Sequence, residues 1–176
     1  MNIEDGFTER MHLSQVRHAA QTLTESGDAR SVLRRLLATT DRRQNINALW
    51  VMTYLDAVRN EWLQQMREEM IEMLHGTADA TKKRLLLQLL SAREYGPDDI
   101  PTDFLDFCLA KINSEIEPYA VRAYCMYCAL KMCRHYPELT AELELRLDMM
   151  EGQSLSLGIK SAVRRVKNEI RKFRRR

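Results

Sequence analysis

The feature that most limits what this chain can fold into is a repeat. A shift of 38 residues keeps apolar positions in register four times over. Leu49, Leu87, Cys125 and Val163 share one column, and Met52, Leu90, Cys128 and Val166 share another. Ala48, Leu86, Tyr124 and Ala162 form a third. The same shift aligns Leu33, Ile71, Leu109 and Leu147, and then Leu36, Leu74, Ile112 and Met150. One period therefore serves two helices of each unit, and the unit is a helical hairpin. A hairpin cannot bury both of its faces alone, so several must stack.

The local spacing agrees. Apolar residues recur at helical intervals nearly everywhere, and no segment alternates with period two. Six Gly and four Pro in 176 residues leave few breaks. The spacing predicts helices over about 8–25, 29–39, 44–59, 61–75, 80–94, 102–113, 118–136, 138–150 and 157–174. Pro101, Pro118 and Pro137 stand where helices begin, since the first turn needs no proline N–H. The expected division is a single repeat domain over 1–176. An N-terminal cap occupies 1–28, and the repeats span 29–60, 61–99, 100–136 and 137–176. The helix at 8–25 has no partner helix in this scheme and caps the first hairpin.

Repeat three carries a nameable pattern, "EIEPYAVRAYCMYCALKMC", with Glu117, Pro118, Val121 and Arg122. The repeat length, the paired helices and this Val-Arg near the start of a second helix resemble HEAT repeats. The resemblance covers about residues 29–176. It implies an all-α, right-handed α-solenoid of about four hairpins plus the capping helix. It also implies ladders between hairpins, built from an acid and an Arg in neighbouring repeats. The candidates here are Asp79, Arg84, Glu117, Arg122 and Lys160. The acid column reads Asp41, Asp79, Glu117, Leu155, and the basic column Ile46, Arg84, Arg122, Lys160. Repeats one and four thus each lack a member, and the acid stands one residue nearer the Val-Arg than in the family pattern. HEAT arrays mostly serve as binding scaffolds, so the resemblance implies a non-catalytic protein-interaction module.

Charge adds a second hint. The net charge is only +2, yet residues 158–176 hold nine basic groups and one acid. On a helix, Ile159, Val163, Val166, Ile170 and Phe173 fall within about 80° of one another. With Ile159 at 0°, Lys160, Arg164, Arg165, Lys167, Arg171, Lys172, Arg174 and Arg175 occupy about 60° to 240°. The last helix of a solenoid needs a polar outer face, but a solubilising face normally mixes signs. These residues are therefore either a solvated cap or a candidate surface for an anionic partner, whether nucleic acid, acidic protein or acidic lipid. No exposed aromatics interleave them, which argues against a single-strand platform. A second basic group, Arg30, Arg34, Arg35, Arg42 and Arg43, has mixed neighbours and reads as a solvated face.

Other chemistry is sparse. Cys125, Cys128, Cys133 and His135 suggest zinc by their spacing. On one unbroken helix, however, they spread over about 15 Å of rise and a wide arc. They are expected instead to pack as small hydrophobes. Four scattered Cys do not make a disulfide framework, and reduced thiols point to the cytoplasm. No phosphate-cradling loop, nucleophile elbow or HExxH motif occurs. The sequence thus calls for no cofactor, no metal and no small-molecule substrate. Trp50, Trp62 and Tyr54, with Asp56, are similar to the Trp and Asp set of HEAT-like DNA glycosylases. That family is longer, and Trp50 beside Leu49 is expected in the core. No apolar run approaches the roughly eighteen residues of a membrane span, and the N-terminal MNIEDGFTERMH is unlike a signal peptide.

Overall fold

A computed structural model describes residues 3–55 and 61–175. The described residues form a short 3-10 turn and ten α-helices, with no strand. They fall into two compact units, 1–92 and 93–176.

The first unit begins with the 3-10 turn Ile3–Phe7 and helix α1, Leu13–Ser26. Then follow α2 (Ala29–Ala38), α3 (Arg42–Met52), α4 (Trp62–Gln65), α5 (Arg67–His75) and α6 (Ala80–Ser91). Helix α2 packs on α3 and α5 on α6, giving two hairpins. The second helices, α3 and α6, lie against each other, and α1 covers α3 and α2. The second unit repeats the plan with α7 (Thr102–Ile112), α8 (Tyr119–Cys133), α9 (Pro137–Asp148) and α10 (Leu157–Arg174). Here α7 pairs with α8, and α10 lies on α8 and α9.

The helix boundaries have local causes. Asp41 Oδ1 accepts from the N–H groups of Arg43 and Gln44, and Asp79 Oδ1 does the same for Thr81 and Lys82. One column of the repeat thus supplies the N-caps of α3 and α6. Ser156 caps α10 through Ile159 N–H, and Pro137 opens α9. Gly27, at φ 76°, ends α1 in the left-handed region that glycine tolerates best. The turns inside two hairpins are closed from the second helix. Asn45 Nδ2 donates to Leu36 O at 2.9 Å, and Arg122 Nε donates to Ile112 O at 2.8 Å.

The five columns supply core residues to each unit. Every member is buried except Tyr124, which is half-buried and meets the Tyr127 ring edge-on. Burying a Leu or Met side chain of this kind contributes about 1.5–3 kcal/mol.

Three expected helices differ. The first starts at Leu13 because Asn47 Nδ2 takes the carbonyls of Phe7 and Glu9, at 2.8 and 2.7 Å. That tertiary bond holds residues 8–12 out of a helix. The helix expected at 61–75 is interrupted at Met66, whose ψ of 3° departs from the helical value while its side chain stays buried. The helix expected over 44–59 ends at Met52, and residues 56–60, Asp56 among them, lie outside the described part.

Candidate functional site

Helix α10 is built as a two-sided element. Ile159, Ala162, Val163, Val166 and Ile170 are buried, while Lys160, Arg164, Arg165, Arg171, Lys172, Arg174 and Arg175 are exposed. Arg176 lies outside the described residues.

The structure sorts these cations into two groups. Those on the flanks have partners. Lys167 Nζ reaches Asp148 at 2.7 Å and also bonds Glu151. Burial alone would lower its pKa, but the two carboxylates outweigh that and hold it above the usual lysine value. Lys172 pairs with Glu169 at 2.6 Å. Arg174 grips both oxygens of Glu144 in a forked pair. Arg165 stands over the Tyr127 ring at 5.1 Å.

The second group is a stripe. Lys160, Arg164, Arg171 and Arg175 recur at spacings that return to one side of the helix, with Asn168 between them. Over fifteen residues they line about 22 Å of surface. Arg171 touches Asn168 at 3.3 Å, and among the described residues no carboxylate pairs with any of the four. Grooves flank the stripe on both sides. One, of about 500 Å³, has Met150, Leu155 and Val163 as its apolar part. It is shaped by the turn at Gly152, where φ is 90°. The other, of about 530 Å³, is polar and includes Ser161, Arg165 and Lys172.

The ladder candidates occupy separate places. Asp79 accepts from Arg42 Nε besides capping α6. Burial raises its pKa, but the Arg42 bond and the capping N–H groups outweigh it, so the carboxyl lies below its usual value of 3.8. Glu117 is buried and pairs with Lys111 at 2.9 Å. Arg122 is buried, capping α7 through Nε, with its guanidinium 5.9 Å from the Tyr119 ring. Lys160 begins the α10 stripe. Arg84 lines a cleft in the first unit together with Arg10, His12, Arg42, Arg43 and Trp50.

Trp50 is therefore a correction. It is half-buried at that cleft and not in the core. Sequence reasoning placed neither Arg10 nor His12 at any site. The only sequence signal for them is Asn47, a polar residue on the otherwise apolar face of α3. The basic group at 30–43 is likewise divided. Arg30 bonds Gln65, Arg34 pairs with Glu69 at 2.6 Å and Arg35 pairs with Glu4, whereas Arg42 and Arg43 face the cleft.

The cysteines are all buried. Burial, reinforced by contacts with Cys125 and Cys128, pushes the Cys108 thiol well above its ordinary pKa. Burial, with Glu142 adding to it, pushes Cys133 up to about 12. His135 Nε2 lies 2.6 Å from Tyr95 O. Among the described residues no group of His, Cys, Asp and Glu could hold a metal ion. None of the described helices is long and apolar enough to cross a membrane.

Stacked helical hairpins with a shared 38-residue core pattern define an all-α repeat protein. A family model for the HEAT repeat domain matches residues 3–170, and the chain belongs to that family. HEAT repeats generally act as protein-interaction scaffolds. No curated protein and no solved structure matches the chain.

Proposed function

We propose that this protein is a non-catalytic scaffold that binds a protein partner through an acidic segment laid along α10. The observation that carries it is the α10 stripe, Lys160, Arg164, Arg171 and Arg175. Its cations are left without carboxylates while Lys167, Lys172 and Arg174 on the same helix are neutralised. Leaving like charges adjacent costs free energy, and an acidic partner removes that cost. The apolar groove beside the stripe, with Met150, Leu155 and Val163, would take the partner's hydrophobic side chains. The buried thiols suit a reducing cytoplasm.

Nucleic acid is the second reading, favoured by the preponderance of Arg, whose forked donors match phosphate. The two separate by experiment. Fluorescence anisotropy would follow a labelled poly-glutamate peptide and a labelled DNA duplex across a salt series. The test variant carries Lys160→Glu, Arg164→Glu, Arg171→Glu and Arg175→Glu. Saturable peptide binding, lost in the variant, is expected. Peptide binding unchanged in the variant would remove the α10 reading. Tighter duplex binding, with a steep loss of affinity as salt rises, would replace the acidic protein by nucleic acid. Charge reversal is a cleaner test than cutting the chain at Lys160, because truncation would strip Val163, Val166 and Ile170 from the core.

A further inference from the structure

The cleft of the first unit is the least explained feature of the molecule. It encloses about 520 Å³ between the segment before α1 and the second helices α3 and α6, a size that suits a small ligand. Its construction starts with Asn47. That side chain is buried, and its two bonds to the carbonyls of Phe7 and Glu9 fix the N-terminal segment over α3. Phe7 and Met11 anchor it in the core. Arg10 and His12, on the same segment, are thereby brought to the cleft that Arg42, Arg43 and Arg84 line from α3 and α6.

The charge balance is uneven. None of the described residues that line the cleft is acidic. Arg42 bonds Asp79, whereas Arg10, Arg43 and Arg84 have no carboxylate partner among the described residues. The contrast lies within one stretch of sequence. Arg30 is bonded by Gln65, and Arg34 and Arg35 by Glu69 and Glu4. The N–H groups at the starts of α3 and α6 are already occupied by Asp41 and Asp79, so the affinity for an anion rests on the guanidinium groups. Beside them stand half-buried Trp50 and the apolar side chains of Leu13 and Leu85.

We propose that this cleft binds a nucleoside polyphosphate. The phosphates would lie among Arg10, Arg43 and Arg84, and the base would stack on or beside Trp50. Several forked donors gathered in one small volume match a chain of phosphates. Four arginines less the one carboxylate bonded to them leave about three positive charges, comparable to the charge of a nucleoside diphosphate. A planar base accounts for the aromatic residue, which a bare inorganic anion would not require. The site is independent of α10 and does not rest on the protein-scaffold reading.

The test uses the full chain. Isothermal titration with ADP should give saturable binding with a dissociation constant below about 1 mM. Pyrophosphate should displace ADP, and adenosine alone should not bind measurably. The chain has two tryptophans, so in the Trp62→Phe variant the fluorescence of Trp50 should change as ADP saturates. Arg43→Ala combined with Arg84→Ala should weaken ADP binding at least tenfold with an unchanged thermal melt. Arg84→Lys should weaken it less. The four-site α10 variant should bind ADP normally, so the two sites fail or succeed separately. The proposal is overturned if no saturable ADP binding appears, if adenosine binds as well as ADP, or if the Arg43 and Arg84 variant binds unchanged. Tighter binding of a poly-glutamate peptide than of ADP at this cleft would overturn it as well.

Discussion

Arg122 Nε donates to the carbonyl oxygen of Ile112 at 2.8 Å, so a guanidinium on one helix closes the C-terminus of the helix before it. Asn45 does the same for Leu36 at 2.9 Å. Leu36 and Ile112 are members of one column, two repeats apart. Different side chains thus satisfy the same exposed carbonyl of the same hairpin turn.

Replacing Arg122 by Ala should therefore destabilise the fold by about 2 kcal/mol, combining a lost charge-assisted cap with lost packing. Arg122→Met should cost less, since it keeps the alkyl stem and removes the buried charge. Urea unfolding reads both. An unchanged midpoint for Arg122→Ala would show that the cap contributes nothing.

Asp79 offers a test by pH. Its folded pKa lies below the ordinary 3.8. The pair with Arg42 therefore stabilises above that value, and the contribution is lost as pH falls through the folded pKa. Asp79→Asn keeps an N-cap and removes the charge. The variant should be less stable near neutrality by under about 1 kcal/mol, because Arg42 is largely exposed. The gap should close in acid. A gap that stays constant from neutral to acidic pH would dissociate the effect from ionisation.

The buried cysteines should be inert. Cys108 and Cys133 have thiols held above their ordinary pKa by burial, and all four are buried. A thiol-reactive dye should label the native chain only as fast as it unfolds. Cys125→Ala with Cys128→Ala should cost about 1 kcal/mol per site through lost packing, with no change in metal content by atomic absorption. Stoichiometric zinc that disappears in the double variant would contradict the packing role.

Asn47 connects stability to the cleft. Asn47→Ala removes two hydrogen bonds that hold the segment before α1 on α3, and should cost about 2 kcal/mol. It should also release Arg10 and His12 and weaken ADP binding. Hydrogen exchange of residues 7–12 should rise in the variant. Unchanged protection there would show that Phe7 and Met11 suffice to hold the segment.

Much of this protein could be read from its residues. The repeat marked the hairpins, and its columns are buried in each unit, because helical spacing gives each helix one apolar face and Leu49, Leu87 and Val163 each stand on it. Helix α10 runs over Leu157–Arg174, as its pattern predicts. Cys125 and Cys128 pack where apolar residues pack in other repeats. A readable signal was also missed, since Asp41 and Asp79 before helices are N-cap signatures.

Other features depend on contacts far apart in the chain, and those only the tertiary structure decided. Helical periodicity runs through residues 8–12, yet bonds from Asn47, about 40 positions away, keep them out of α1. Arg34 and Arg43 look alike in sequence, but Glu69 lies beside one and the cleft beside the other. Likewise, which cations of α10 remain unpaired depends on where Asp148, Glu151 and Glu144 come to lie. Local spacing sets which face of a helix is apolar. Which charge on the other face is neutralised depends on what folding brings within a few ångströms, because ion pairing is short-ranged and indifferent to order along the chain.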